Sequence, residues 1–261
     1  MQKYKRSLGQ NFLHDKNIIK KIINLDSVKD KSILEIGPGN GALTFEIIKK
    51  NPKNLTLVEK DKDLFKNLNE EIKYTKCKIF NKDIMNLNVE SILEKDSIIF
   101  GNLPYNISTQ ILVKFIKFNS WPPNYSKLIF MFQKEVAEKI ISSNNKSDYG
   151  RLNIISNYRL KIKDYFLVKK NCFIPKPKVD SMVLLLEPKI PEIKIKDLSN
   201  LEFITNIFFS QKRKIIKKTF QKLFKDYKLY AEKLGLSLRE RPSELTPNKY
   251  YQITEMFENI K

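Results

Sequence analysis

The stretch Ser32-Ile33-Leu34-Glu35-Ile36-Gly37-Pro38-Gly39-Asn40-Gly41-Ala42-Leu43 decides the fold. Five residues of strand length and strand composition run straight into glycines, and a helical pattern opens at Leu43-Thr44-Phe45. Glycines at that point permit a tight turn and a close approach of backbone to a ligand, with a helix N-terminus aimed at it. Working outward, Leu55–Val58, Lys78–Phe80, Ser97–Phe100 and Leu128–Phe132 are further short apolar runs that read as strands. Between them lie helix-like patterns, such as Leu64, Phe65, Leu68 and Ile72 on one face. Strand and helix in alternation imply right-handed crossovers and a parallel sheet covered on both sides, an α/β fold. Met182–Leu186 reads as one more strand near the end of this domain.

From about Pro188 the character changes. Pro188-Lys189-Ile190-Pro191 breaks the sheet pattern, and the remainder reads as helical, so the expected division is an α/β domain over 1–190 and a small helical domain over 191–261. In the latter, Ile216, Phe220, Leu223 and Phe224 share one helix face while Lys214, Lys218, Lys222 and Lys225 lie opposite, at ~100° per residue.

Composition narrows the partner. Lys and Arg number 49 against 29 Asp and Glu, a formal charge of +20 in 261 residues, which favours an acidic polymer such as nucleic acid. No segment approaches the ~20 apolar residues that span a bilayer, and Met1-Gln2-Lys3-Tyr4-Lys5-Arg6 lacks the apolar stretch of a secretory signal. Cys77 and Cys172 are too few and isolated for a disulfide framework or a zinc site, and His14 is the only histidine. The expectation is a reduced, cytoplasmic, monomeric protein without structural metal.

Glu59 ends the second strand and Asp83 follows the third, both at carboxyl ends, where an open parallel sheet places its ligands beside the glycine turn. The carboxylate of Glu59 can accept both hydroxyls of a ribose, and Asp83 the exocyclic amine of an adenine. A nucleoside pocket follows. Gly37, Gly39 and Ala42, with Glu59 at the expected distance, also satisfy the dinucleotide pattern, so a nicotinamide or flavin enzyme stays open at this point.

The fourth strand ends at Gly101 and delivers Asn102-Leu103-Pro104-Tyr105 into the same crevice. An adenine N6 amine is a poor nucleophile because its lone pair is delocalised into the ring. The side-chain carbonyl of Asn102 and the main-chain carbonyl of Leu103 can each accept one N6 hydrogen, drawing the nitrogen toward tetrahedral geometry and freeing the lone pair. Pro104 fixes the local backbone, and the ring of Tyr105 can stack on an extruded base, typically worth ~1–3 kcal/mol. The electrophile would be a sulfonium methyl held in line, so catalysis is mostly positioning.

On these residues the chain resembles the S-adenosylmethionine-dependent rRNA adenine N6-dimethyltransferases, most closely those of the small subunit. The resemblance is carried in order by Gly9-Gln10-Asn11-Phe12-Leu13, Glu35 to Gly39, Val58-Glu59, Asp83, Gly101 to Thr109, Gln133 to Val136, Tyr149 to Leu152 and Phe173 to Ser181. It implies a mostly parallel seven-stranded Rossmann-like sheet with one antiparallel strand. It implies S-adenosylmethionine as methyl donor and, as substrate, two adjacent adenosines near the 3′ end of 16S rRNA in the 30S subunit or its precursor. By the same resemblance Asn11 and Leu13 form a lid over the cofactor, Gly37 and Gly39 its methionine-side turn, Glu59 the ribose ligand and Asp83 the adenine ligand. Asn102 touches cofactor and target amine, with Tyr105 on one face of the base and Phe173 flanking the other. The helical domain is implied to dock RNA, with Lys212, Arg213, Lys214, Lys217 and Lys218 as its candidate contacts, where relatives often carry Arg and Asn. The competing readings are a large-subunit 23S adenine methylase, which shares the glycine turn and an Asn-Pro-Tyr loop, and a noncatalytic assembly factor. Gln133 to Val136, Phe173 to Ser181 and Arg241-Pro242-Ser243-Glu244-Leu245 favour the small-subunit enzyme.

Overall fold

The structure, a computed structural model, describes residues 11–260. These divide into two compact units, residues 11–137 with 161–188, and residues 138–160 with 189–260.

The first unit is built on a seven-stranded sheet. In chain order its strands are β2 (Ser32–Ile36), β3 (Asn54–Glu59), β4 (Cys77–Asn81), β5 (Ser97–Asn102), β6 (Tyr125–Gln133), β7 (Leu160–Val168) and β9 (Ser181–Pro188), lying side by side as β4-β3-β2-β5-β6-β9-β7. Pairing is parallel from β4 through β6, and β9 runs antiparallel to β6. The order reverses at β2, whose neighbours are β3 and β5, so a crevice opens at the carboxyl ends of these strands. Two short strands, β1 (Phe12–Leu13) and β8 (Phe173–Ile174), form a separate antiparallel pair. Leu13 stands opposite Phe173 in that pair.

Sequence explains these elements locally. All five residues of β2 are buried, as a central strand flanked on both faces requires. The helix α1 (Lys16–Ile23) starts where Asp15 accepts from the amides of Asn17 and Ile18, and α3 (Lys62–Glu71) where Asp61 accepts from Asp63 and Leu64. Both carry their buried residues at helical spacing: Ile19, Ile22 and Ile23, then Leu64 and Leu68. On one side of the sheet Ile33, Leu55, Leu57 and Phe100 pack with Ile19, Ile23 and Ile47, the last from α2 (Ala42–Ile48). The helix α4 (Ser108–Ile116) contributes Phe115, which meets Tyr125 and Phe130 edge-on with ring centroids 5.8 and 5.6 Å apart. Trp121 packs in the same manner against Tyr125, at 6.2 Å.

The second unit is helical. It gathers the end of α5 (Lys134–Ile141), α6 (Arg151–Arg159), α7 (Leu198–Phe209), α8 (Lys217–Leu223), α9 (Tyr227–Lys233) and α10 (Pro247–Ile260). Buried tyrosines tie its loops down through their hydroxyls: Tyr149 donates to the carbonyl of Leu245 at 2.8 Å and Tyr250 to that of Pro242 at 2.6 Å. Tyr251 donates to the carbonyl of Ile154 at 2.8 Å, which joins α10 to α6. That burial places 138–160 in the helical unit, although the linear boundary at 190 had grouped it with the sheet. The basic helix is shorter than its pattern suggested. Ile216, Phe220 and Phe224 are buried, while Lys214 precedes α8. Among the described residues no helix is long and apolar enough to cross a membrane.

Candidate active site

The chain leaves β2 through three glycines with left-handed backbone, Gly37 at φ 63°, Gly39 at 61° and Gly41 at 80°. Such angles cost an L-residue roughly 1–2 kcal/mol, which explains why the turn is written in glycine. A Cβ at Gly37 would meet nothing within 4 Å, so the backbone there is open to whatever occupies the adjoining space. At Gly39 a Cβ would lie 2.8 Å from the ring of Phe12 in β1, so β1 closes down on the turn and only glycine fits beneath it.

A cavity of about 320 Å³ adjoins this turn. Asn11, Leu13, Gly37, Gly39, Glu59, Asp83 and all four residues from Asn102 to Tyr105 line it. The topology brings them together, because β3, β4 and β5 all deliver their carboxyl ends to the switch point beside β2.

Glu59, Asp83, Asn102 and Tyr105 each have a defined attachment. Glu59 is buried and accepts from the amide of Gly39 at 3.1 Å through one oxygen and from that of Asp61 at 2.8 Å through the other. Burial pushes its carboxyl above the ordinary value, against those two amides. Asp83 caps a single helical turn by accepting from Met85 at 2.9 Å, and its second oxygen meets the ammonium of Lys60 at 2.9 Å. Partial burial raises the Asp83 carboxyl, but the Met85 amide and Lys60 outweigh it and hold the group below its usual range. Asn102 donates through Nδ2 to the main-chain carbonyl of Asn11 at 3.0 Å. A carbonyl partner admits only the NH₂ end of the amide, so Oδ1 is the end left to accept. The hydroxyl of Tyr105 shares a hydrogen bond of 2.7 Å with that of Ser181, a fully buried residue at the start of β9. Burial raises the Tyr105 phenol, so it stays neutral and its ring is held at two points, by the loop and by Ser181.

One expected site residue, Phe173, sits away from the cavity. In β8, it is buried at 2% exposure and does not line the cavity. Gly9 and Gln10 lie outside the described residues. One acidic residue escaped the sequence reading of the cavity. Glu35, in β2, lines it and accepts a 2.6 Å bond from the hydroxyl of Thr44 in α2. Burial pushes its carboxyl up to about 7 despite that bond. Its position two residues before Gly37 was the available signal. Lys60, Asn106 and Gln110 also line the cavity without having been singled out. His14 is exposed, with Nε2 3.1 Å from the carbonyl of Asn171, and Cys172 is half-buried against the core.

The basic residues of the helical unit separate into two groups. Lys212 spends its ammonium on the carbonyls of Ser147 and Tyr149, at 2.7 and 3.0 Å. Arg213, Lys214, Lys217 and Lys218 are exposed. Lys214, Lys218 and Lys222 line a shallow cavity with Asn206 and Ser210.

Comparison with known proteins follows the same lines. The family model for ribosomal RNA adenine dimethylase matches residues 1–259. The chain is 47% identical to ribosomal RNA small subunit methyltransferase A of Pelagibacter ubique, over 99% of this chain and 98% of that protein. It is 41% identical to the protein of the same name from Mycoplasmopsis synoviae, over 92% of each. In three dimensions it is similar to a dimethyladenosine transferase from Plasmodium falciparum, with TM-score 0.78 and 24% identity over 95% of this chain and 98% of that one. A 23S rRNA methyltransferase is similar at TM-score 0.70 and 22% identity, over 95% of this chain and all of that one. At such identities the structural likeness speaks to fold alone. By the full-length match of the family model and the two relatives, this chain belongs to the ribosomal RNA adenine dimethylase family.

Proposed function

We propose that the protein transfers methyl groups from S-adenosylmethionine to N6 of two adjacent adenosines near the 3′ end of 16S rRNA, in the 30S subunit or its precursor. The observation that carries the reading is the orientation of Asn102, whose amide is held by Asn11 so that its carbonyl oxygen remains to accept from an amine in the cavity.

The residues present fit the cofactor. Glu59 accepts from two amides and retains lone pairs for ribose hydroxyls, Asp83 offers an acceptor edge to the adenine, and the open backbone at Gly37 admits the methionine end. When bound, the sulfonium supplies an electrophilic methyl group. The chain supplies geometry. Asn102 Oδ1 and the Leu103 carbonyl accept the two N6 hydrogens of the target base, which localises the nitrogen lone pair. The ring of Tyr105, fixed by Ser181, forms the stacking surface. The Asn102–Tyr105 loop holds no charged base. Neutral acceptors suffice because the nitrogen needs its lone pair freed before transfer, and it can shed its proton to water afterwards. Exposed Arg213, Lys214, Lys217 and Lys218 would meet RNA phosphates, whereas Lys212 has a structural attachment. A role in small-subunit biogenesis, in the cytoplasm and as a monomer, accompanies this reading.

The test is methyl transfer from labelled S-adenosylmethionine to unmodified 30S particles and, separately, to protein-free 23S RNA, with mass spectrometry of the nucleosides. N6,N6-dimethyladenosine in the 30S sample alone is the expected result. Product on 23S RNA would reassign the substrate, and 30S binding without product would leave an assembly factor.

A further inference from the structure

The strand β9 is apolar from Met182 to Leu186 and opens on one hydroxyl, that of Ser181, which is fully buried. A buried hydroxyl needs a partner, and among the described residues its partner is the hydroxyl of Tyr105, at 2.7 Å. The two residues are 76 positions apart, so the bond is a product of the fold. The position of Ser181 is fixed in turn. It lies opposite Gln133 in the β6–β9 pair, and the carbonyl of the preceding residue, Asp180, accepts from the amide of Lys134 at 3.0 Å. The Asp180 carboxylate accepts from the amide of Lys170 at 2.9 Å and from the ammonium of Lys169 at 3.3 Å. Tyr105 is half-buried, and its backbone is held at the other end of the ring, where its carbonyl accepts from the hydroxyl of Ser108 at 3.2 Å. A ring pinned at its tip as well as at its base keeps one plane, whereas a tyrosine pinned by its backbone alone turns about its side-chain torsions.

We propose that Ser181 is a positioning residue that determines the extent of methylation, holding the Tyr105 ring so that a base already carrying one methyl group is presented for a second transfer. The inference rests on the reading above, in which Asn102 Oδ1 and the Leu103 carbonyl accept the N6 hydrogens of a base stacked on Tyr105. In the first transfer both hydrogens are available, and two acceptors fix the amine. That transfer forms an N6–carbon bond as the carbon–sulfur bond of the donor breaks, and N6 sheds one proton to water. The monomethylated base therefore returns with one N6 hydrogen and can engage one acceptor. With half of the polar grip gone, the plane of the base is set to a greater degree by stacking, and a ring that tilts no longer presents the amine in line. Loss of the Ser181 bond consequently weighs on the second transfer more than on the first.

Ser181→Ala and Tyr105→Phe each delete that bond, from opposite sides, and leave an aromatic ring at position 105. With unmodified 30S particles and S-adenosylmethionine, the time course of N6-methyladenosine and N6,N6-dimethyladenosine is followed for each variant by mass spectrometry. The expected result is a ratio of second to first transfer rate about tenfold below the parent's, the order of one hydrogen bond, so that the monomethylated nucleoside accumulates. The double variant should match the single ones, because all three lack the same interaction. Affinity for 30S particles by filter binding and for S-adenosylmethionine by calorimetry should stay at the parent's values. If a thermal melt shows Ser181→Ala unfolded, Tyr105→Phe decides alone. A rate ratio within about twofold of the parent's in a folded variant, including equal slowing of both transfers, would overturn the proposal. Additive effects in the double variant, or a loss of 30S or cofactor affinity that accounts for the slowing, would overturn it as well. A parent that forms no dimethyladenosine on 30S particles would instead overturn the functional reading, and the proposal with it.

Discussion

The side-chain amide of Asn102 and the main-chain carbonyl of Asn11, 91 residues apart in the chain, are joined by a hydrogen bond of 3.0 Å. The bond ties the residue just before β1, the strand that closes over the glycine turn, to the residue proposed to address the target amine. Cofactor enclosure and orientation of the acceptor are therefore one structural event. Replacing Asn102 by Ala removes the acceptor and the tie. Methyl transfer to 30S particles should fall on the order of 100-fold or more, as misplacement of a reacting group does, while 30S binding persists. Single-turnover kinetics beside a binding titration would measure both; loss of the two together would argue against separable roles.

Gly39→Ala tests the closure from the other side. The new methyl group would lie 2.8 Å from the Phe12 ring on a residue with φ 61°. Backbone strain of roughly 1–2 kcal/mol should lower the melting temperature, and displacement of Phe12 should weaken S-adenosylmethionine binding by calorimetry. A variant with parental affinity would show that β1 is free to move off the turn.

Asp83 is attached to Lys60 as well as to its own helical turn. Asp83→Asn preserves the cap but exchanges one acceptor for a donor and dissolves the ion pair. Cofactor affinity should drop about tenfold, the worth of one hydrogen bond at ~1–1.5 kcal/mol. The loss should be matched by S-adenosylhomocysteine, since the proposed contact is to the adenine and not to the sulfur.

Glu35 predicts a pH dependence of stability. Its carboxyl is raised from 4.5 to about 7 in the folded protein by burial. Between these values the folded state holds a proton that the unfolded chain has released, so stability is present in full below pH 4.5 and is lost as pH rises through about 7. Glu35→Gln should abolish this component, giving a melting temperature that varies less than the parent's over that window. Identical pH profiles for parent and variant would show that the group is not buried as the structure places it.

Much of this was legible in the sequence because the chemistry is local. The run into Gly37 and Gly39, and the Asn102–Tyr105 segment, each carry strand, turn and reactive groups in consecutive residues. β2 was read with its observed limits, and β3 to β6 and β9 with cores correctly placed but ends cut short. β7 was missed. Its exposed Lys161, Asp164 and Tyr165 interrupt the apolar run, as an edge strand permits. β1 and β8 are two residues each and exist only through pairing across the chain, which no local pattern announces. The assignment of 138–160 to the helical unit was hidden for the same reason: it depends on Tyr149 and Ile154 meeting Leu245 and Tyr251 about a hundred residues later. The attachment of Lys212 was likewise invisible, because a lysine that holds two carbonyls and one that faces solvent look alike in sequence.

That last distinction yields a separable pair of variants. Lys212 donates hydrogen bonds to the carbonyls of Ser147 and Tyr149, in the segment whose Tyr149 hydroxyl also anchors Leu245. Lys212→Ala should lower the melting temperature of the protein, with a loss of roughly 1–3 kcal/mol from the unpaired carbonyls. Lys217→Ala with Lys218→Ala removes two exposed cations that hold nothing in the fold. Here the melting temperature should stay within a degree or so, since surface substitutions usually cost under ~0.5 kcal/mol. Affinity for 30S particles should fall instead, and the slope of log affinity against log salt should become shallower by about one to two. Filter binding across a salt series and a thermal melt on the same samples read both effects. Should the double variant bind with the parental slope, RNA phosphates do not meet this face, and the exposed lysines of α8 are solvated surface.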